Sequence, residues 1–153
     1  MFRRLLLGAA AGAAGTTALN AATYFDMAVR ARPASSTPER TVEKMAAARN
    51  IGIPGQGEER GNRLTGLGAL SGIATGVGVG VAYAVLDVLR LRPGGLADML
   101  LVGGGAMVLS NSTMAKYDVT DPATWTKSEW LSDLVPHLAY GAVVSTTYSA
   151  ATA

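Results

Sequence analysis

His137 is the single histidine of this chain and the residue best placed to do chemistry. It lies in the run Asp133-Leu134-Val135-Pro136-His137-Leu138-Ala139-Tyr140-Gly141. On a helix, Asp133 and His137 share a face, with Tyr140 one turn further on. A carboxylate beside an imidazole favours the imidazolium and gives a group that titrates near neutrality, suited to a proton sensor or relay. The plainer alternative is a histidine in the first turn of a helix, bonded to a carbonyl or to lipid headgroups, with Pro136 as a helix-start residue.

Asn20 and Asn111 form a second group, with the adjoining hydroxyls Thr16, Thr17, Ser110, Ser112 and Thr113. They interrupt otherwise apolar segments. Polar side chains within a membrane span are costly and raise a functional hypothesis. Here it is a polar pathway shared with Asp133, His137 and Tyr140. The alternative is that they cross-link helices through hydrogen bonds, each contributing about 1 kcal/mol. Asp26, Asp87 and Asp98 fall near segment ends, where a carboxylate is expected to reach water.

Enzyme signatures are missing. The chain has no Gly-x-Ser-x-Gly elbow, no Gly-x-x-x-x-Gly-Lys phosphate loop and no His-x-x-x-His pair. One histidine and no cysteine leave only carboxylates for a metal, so neither a metal nor another cofactor is expected. Gly76-Val77-Gly78-Val79-Gly80 contains a Gly-x-Gly, but it sits inside an apolar helix rather than after a strand, and fails as a dinucleotide fingerprint. The net charge of +2 and the lack of basic residues interleaved with aromatics argue against nucleic acid.

The elements that must hold these residues are apolar helices. Of 153 residues, 49% are hydrophobic, 16% charged and 6% aromatic. Soluble domains carry nearer ~25% charge. A water-soluble core would have to be built here with two phenylalanines and nineteen glycines, so a membrane reading fits better. Crossing the bilayer's hydrocarbon core takes about 20 apolar residues. Four segments meet that length, at about residues 5–29, 64–86, 96–115 and 134–153. The breaker Arg92-Pro93-Gly94-Gly95 makes spans two and three an antiparallel hairpin.

The second span carries Gly68, Gly72, Gly76 and Gly80 at every fourth residue, and the first carries Gly8, Gly12 and Gly15. Glycine costs a water-exposed helix about 1 kcal/mol relative to alanine. In lipid, a row of small residues lets another helix approach closely. The first span also reads as a signal peptide, with Arg3 and Arg4 before an apolar run from Leu5 to Ala14. The apolar stretch continues well past such a region, which favours a retained span.

Two linkers carry further helices. One is expected at about residues 37–49, with Ser36 and Thr37 as N-caps and Pro38 in the first turn. The other is expected at about 121–132, capped by Asp121 and started by Pro122. It holds Trp125 and Trp130, which serve as interfacial anchors or pack on their own loop. The two halves (span, polar patch, proline-started helix, span) suggest an internal duplication. An even number of spans puts both termini on one side. The N-terminal arginine pair tilts that side towards the cytoplasm, although the opposite side holds nine of the basic residues.

The start Leu5-Leu6-Leu7-Gly8 with alanine–glycine repeats to Gly15-Thr16, the run Asp121-Pro122-Ala123-Thr124-Trp125, and Pro136-His137-Leu138-Ala139-Tyr140-Gly141 resemble small multi-span membrane proteins of actinobacteria. These are distantly similar to YagU-like bacterial inner-membrane proteins. The resemblance implies a multi-pass protein of the inner membrane and transfers no catalytic or binding residue. The sequence thus predicts an all-α four-helix membrane bundle in one domain. Its expected role is a non-enzymatic structural or accessory one, partnered by the lipid bilayer and by another membrane protein or a second copy. The alternative is a small transporter or proton pathway.

Overall fold

The computed structural model describes residues 1–153, and they are all-α. The helices are α1 (Phe2–Arg30), α2 (Thr37–Ala47), α3 (Gly57–Val88), α4 (Gly95–Lys116) and α5 (Lys127–Thr152), with one 3-10 turn at Pro122–Thr124. Two helices, α1 and α3, are long and apolar enough to cross a membrane. With 22 residues, α4 reaches about 33 Å at 1.5 Å per residue, and α5 is longer, so length does not separate them from the other pair. They differ in the polar groups they bury: Asp98 and Asn111 on α4, Ser145 on α5.

α1 is the centre of the bundle. It packs along α3 on one side and α5 on the other, and α4 packs on α5. The pairs α1–α3, α1–α5 and α4–α5 all run antiparallel. Gly8 faces Gly80 and Gly12 faces Gly76 in the first, Gly15 faces Val144 and Tyr140 in the second, and Gly103 faces His137 and Gly141 in the third. Met1 and Ala153 therefore lie at the same end. The core is small and fills with tyrosine: Tyr83, Tyr140 and Tyr148 lie among Ala11, Ala84, Val102, Ala106 and Val144. Outward faces are apolar too, with Phe25, Leu70, Ile73, Leu100, Val108 and Val135 exposed.

Several expectations are corrected. Spans two and three follow one another but touch little. The turn between them, with Arg90, Gly94 and Gly95 at positive φ, carries Arg92 into the bundle end and lets the two helices part. The helix expected at 121–132 does not form as a unit. Asp121 accepts from the Ala123 N–H and caps only the 3-10 turn. α5 starts instead at a capping box, in which Thr126 Oγ1 takes the Glu129 N–H while the Glu129 carboxylate takes the Thr126 N–H. Pro136 and His137 consequently lie inside α5 rather than in a first turn. α2 begins at Thr37 as the sequence indicates, but it packs against α3, with Pro38 over Gly68 and a 2.7 Å Glu43–Arg60 ion pair.

The glycine stripe is also divided. Gly76 and Gly80 meet α1 and Gly68 meets α2, whereas a Cβ on Gly72 would find nothing within 4 Å. Positions four apart rotate by about 40° per step on a helix of 3.6 residues per turn, so a row of four winds around α3 and one straight neighbour covers only part of it.

Candidate functional site

Polar residues gather at two places. The first is the α4–α5 interface, where helical spacing and the Gly103–Gly141 close approach bring four side chains together. His137 Nδ1 lies 3.2 Å from Asp133 Oδ1 and 2.7 Å from the Asp133 carbonyl. Asn111 Nδ2 donates to Asp133 Oδ2 at 2.8 Å, and Ser110 Oγ stands 3.4 Å from His137 Nε2. One carboxylate thus orients an imidazole on its own helix and an amide on the next. Asn111 is buried, and its Oδ1 has no hydrogen-bond partner.

The structure unites Asn111, Asp133 and His137, as the sequence anticipates. Tyr140 does not join them: it is buried and donates to the Gly76 carbonyl on α3 at 2.6 Å. It stands about 10 Å along α5 from Asp133, two turns away and beside α3 instead of α4. Asn20, half-buried on α1, is a member of neither cluster. Among the hydroxyls near Asn20 and Asn111, only Ser110 bridges two helices. Thr16, Thr17, Ser112 and Thr113 bond carbonyls three or four residues back on their own helix, and Ser110 does so as well as facing His137.

The second gathering, at the end shared by the termini, was not read from the sequence. Arg92 reaches from the α3–α4 turn to Asp98 at 2.7 Å and Asp87 at 3.4 Å, and donates to Ser149 Oγ at 2.8 Å. Its guanidinium lies 4.7 Å from the centre of the Tyr83 ring and 5.3 Å from that of Tyr148. Arg4 pairs with Asp87 at 3.0 Å, and Tyr148 Oη donates to the same carboxylate at 3.0 Å. Burial works against the charge on Arg92, but the Asp98 hydrogen bond and the neighbouring Tyr83, Asp98 and Asp87 hold its pKa above the ordinary value.

Asp98 is 1% exposed, so it does not reach water as a segment-end carboxylate was expected to. It accepts from the Gly94 N–H and from Arg92, both in the turn just before α4. Asp87 and Asp98 bracket Arg92 across the breaker Pro93-Gly94-Gly95, and that acid–base–acid spacing was the available signal. Asp26, at the other end, pairs with Arg30 and Arg32 at 2.7 and 2.6 Å. Arg30 also donates to Ser128 and Ser132, tying the end of α1 to the start of α5.

Trp125 and Trp130 pack edge to face with centroids 5.1 Å apart, and Trp125 Nε1 donates to Thr120 Oγ1 at 2.8 Å. No trio of His, Asp and Glu side chains is arranged to hold a metal ion. No protein-family model, curated protein or solved structure matches the chain.

Proposed function

We propose that this chain is a four-helix integral membrane protein, multi-pass in a bacterial inner membrane, that serves as a non-enzymatic structural or accessory subunit. Three features support the membrane reading. The stretches 5–25, 64–86, 99–115 and 134–153 hold no charged residue, so charge is confined to the two ends of the bundle. Apolar side chains cover the outward faces as well as the core. Ser110, Asn111, Asp133 and His137 of α4 and α5 turn inward and bond one another, and the outward hydroxyls of Ser112, Thr113 and Thr146 bond carbonyls of their own helix, which reduces the cost of placing both helices in lipid.

The observation that carries the accessory role is the set of open glycines, among them Gly66, Gly72 and Gly78 on α3 and Gly104 and Gly105 on α4, each with open space where a Cβ would stand. The other contact glycines (Gly8, Gly12, Gly76, Gly80, Gly103 and Gly141) are already met within the chain. An open glycine on a lipid-facing helix permits the close approach of a helix from another copy or another protein. Since the chain has no cysteine, Gly72→Cys and Gly105→Cys introduce unique thiols. Crosslinking in native membranes should trap a second chain at these positions. Light scattering in mild detergent should give a mass above 15.6 kDa. A monomer with no crosslinked partner refutes the role.

The polar-pathway reading draws on the Ser110–His137–Asp133–Asn111 group. It is separated from the Arg92 cluster by about 18 Å along α5, from His137 to Ser149. Between them lie the Gly103–Gly141 contact and the buried Tyr140 and Val144. A relay would have to pass that packed layer, and this favours the structural role. Asp133→Asn and His137→Gln variants that melt like the parent across about pH 5–8, the usual histidine range, would dispose of the pathway.

A further inference from the structure

The charged side chains divide unequally between the two ends of the bundle. Of thirteen basic and eleven acidic residues, the end that carries the termini holds Arg3, Arg4, Arg90 and Arg92 against Asp87 and Asp98. The opposite end holds the other nine of each sign, so the whole net charge of +2 belongs to the first end. Contacts sharpen the division. Asp87 is taken by Arg4 and Arg92, and Asp98 is buried against Arg92. Arg3 and Arg90 are left exposed with no acidic partner. The backbone of Arg90 is fixed all the same, because its N–H donates to the Asp87 carbonyl at 3.0 Å where α3 closes. Bulky apolar residues flank both arginines: Phe2 precedes Arg3, and Leu89 and Leu91 bracket Arg90, all of them exposed.

We propose that the end bearing the termini is a binding surface for anionic phospholipid, with Arg3 and Arg90 on lipid phosphates and Phe2, Leu89 and Leu91 at the acyl boundary beside them. This rests on the membrane reading above. An arginine near the end of a membrane helix lays its methylene stem along apolar chains and lifts its guanidinium to the headgroups. The guanidinium is a planar fork of donors that matches two oxygens of one phosphate. A zwitterionic lipid offers the same phosphate, but its own ammonium offsets the attraction, so charge selects an anionic headgroup. The opposite end, balanced in charge, makes no such selection. An acidic protein surface would answer the arginines but leave Phe2, Leu89 and Leu91 against polar groups, and lipid satisfies both.

The test uses the full chain in equimolar phosphatidylcholine and phosphatidylglycerol vesicles, with bromine on the acyl chains of one lipid or the other. Since the chain has no cysteine, Leu96→Cys at the end bearing the termini and Val135→Cys at the opposite end each take a single fluorophore. Both positions are exposed. At position 96, brominated phosphatidylglycerol should quench more than brominated phosphatidylcholine, with a relative affinity of about fivefold, the ratio set by about 1 kcal/mol per arginine. At position 135 the two lipids should quench alike. Arg3→Gln combined with Arg90→Gln removes two exposed charges without touching the core and should bring the ratio at position 96 close to one. Raising the ionic strength to about 1 M, where the screening length is about 3 Å, should lower it as well. Equal quenching by the two lipids at position 96, the same selectivity at position 135, or a selectivity that survives the double substitution overturns the proposal. Carbonate extraction of the same vesicles separates the two readings: a chain that washes off refutes the membrane assignment, whereas one that stays without selectivity refutes only the lipid surface.

Discussion

A single methyl group placed between α1 and α3 should measurably destabilise this protein. A Cβ on Gly12 would lie 2.5 Å from the Gly76 carbonyl oxygen and 2.9 Å from the Val77 Cα. Ordinary contact begins near about 3.4 Å, so the two helices must part by about 0.9 Å. Both obstacles are backbone and cannot rotate away. A radial gap of that size forfeits about a quarter to a half of each dispersion well along the seam. Over-packing of this kind costs about 1–3 kcal/mol. Gly8, facing the Gly80 carbonyl at 2.5 Å and Ala84 Cβ at 2.6 Å, should behave alike. Gly72→Ala and Gly78→Ala have open space and should fall within about 0.5 kcal/mol of the parent, as surface changes do. Thermal melts in one detergent, with helix content followed by circular dichroism, measure all four. If Gly12→Ala melts with Gly72→Ala, the α1–α3 seam is not a close contact and the packing argument is wrong.

Arg92→Gln should cost about 3–5 kcal/mol, because it strands the buried Asp98 carboxylate, and Asp98→Asn added to it should recover part of that loss in the same melts. At the start of α5 the Thr126 N–H, then its hydroxyl, hold the Glu129 carboxyl below its ordinary pKa. The stabilisation this gives is present above the unfolded carboxylate pKa and is lost as pH falls through the folded value. The melting difference between parent and Glu129→Gln should therefore narrow on acidification, and a difference constant with pH contradicts it. Reporters fused before Met1 and after Ala153 should read the same compartment, and opposite readings would refute the four-span proposal.

The apolar runs made α1 and α3 legible, and the proline near Thr37 marked where α2 begins. α5 was misplaced because two prolines drew its start away from the Thr126–Glu129 capping box, although that motif stands in the sequence. An interior proline costs a soluble helix about 3 kcal/mol, and membrane helices tolerate it more readily. The meeting of Asn111 with Asp133 and His137 needed tertiary structure: only the second pair shares a helix, and Asn111 arrives because Gly103 and Gly141 let α4 sit close to α5. Tyr140 meets α3 instead of that group, since spacing along a helix fixes which residues are near one another but not which neighbour each will meet. Gly72 meets no helix of this chain for a related reason, the drift of a four-residue row around its helix.

The central position of α1 has a consequence for how the protein is made. It precedes both helices that flank it, so its two sides are covered at different times, one when α3 emerges and the other when α5 does. Until α5 emerges, the side of α1 that carries Gly15 lacks its neighbours Val144 and Tyr140. The making of α5 is thus the step that closes the bundle, and it brings Ser128 and Ser132 to Arg30 at the far end. A chain cut short before α5 would leave one side of its central helix bare, a form that proteases can tell from the folded protein.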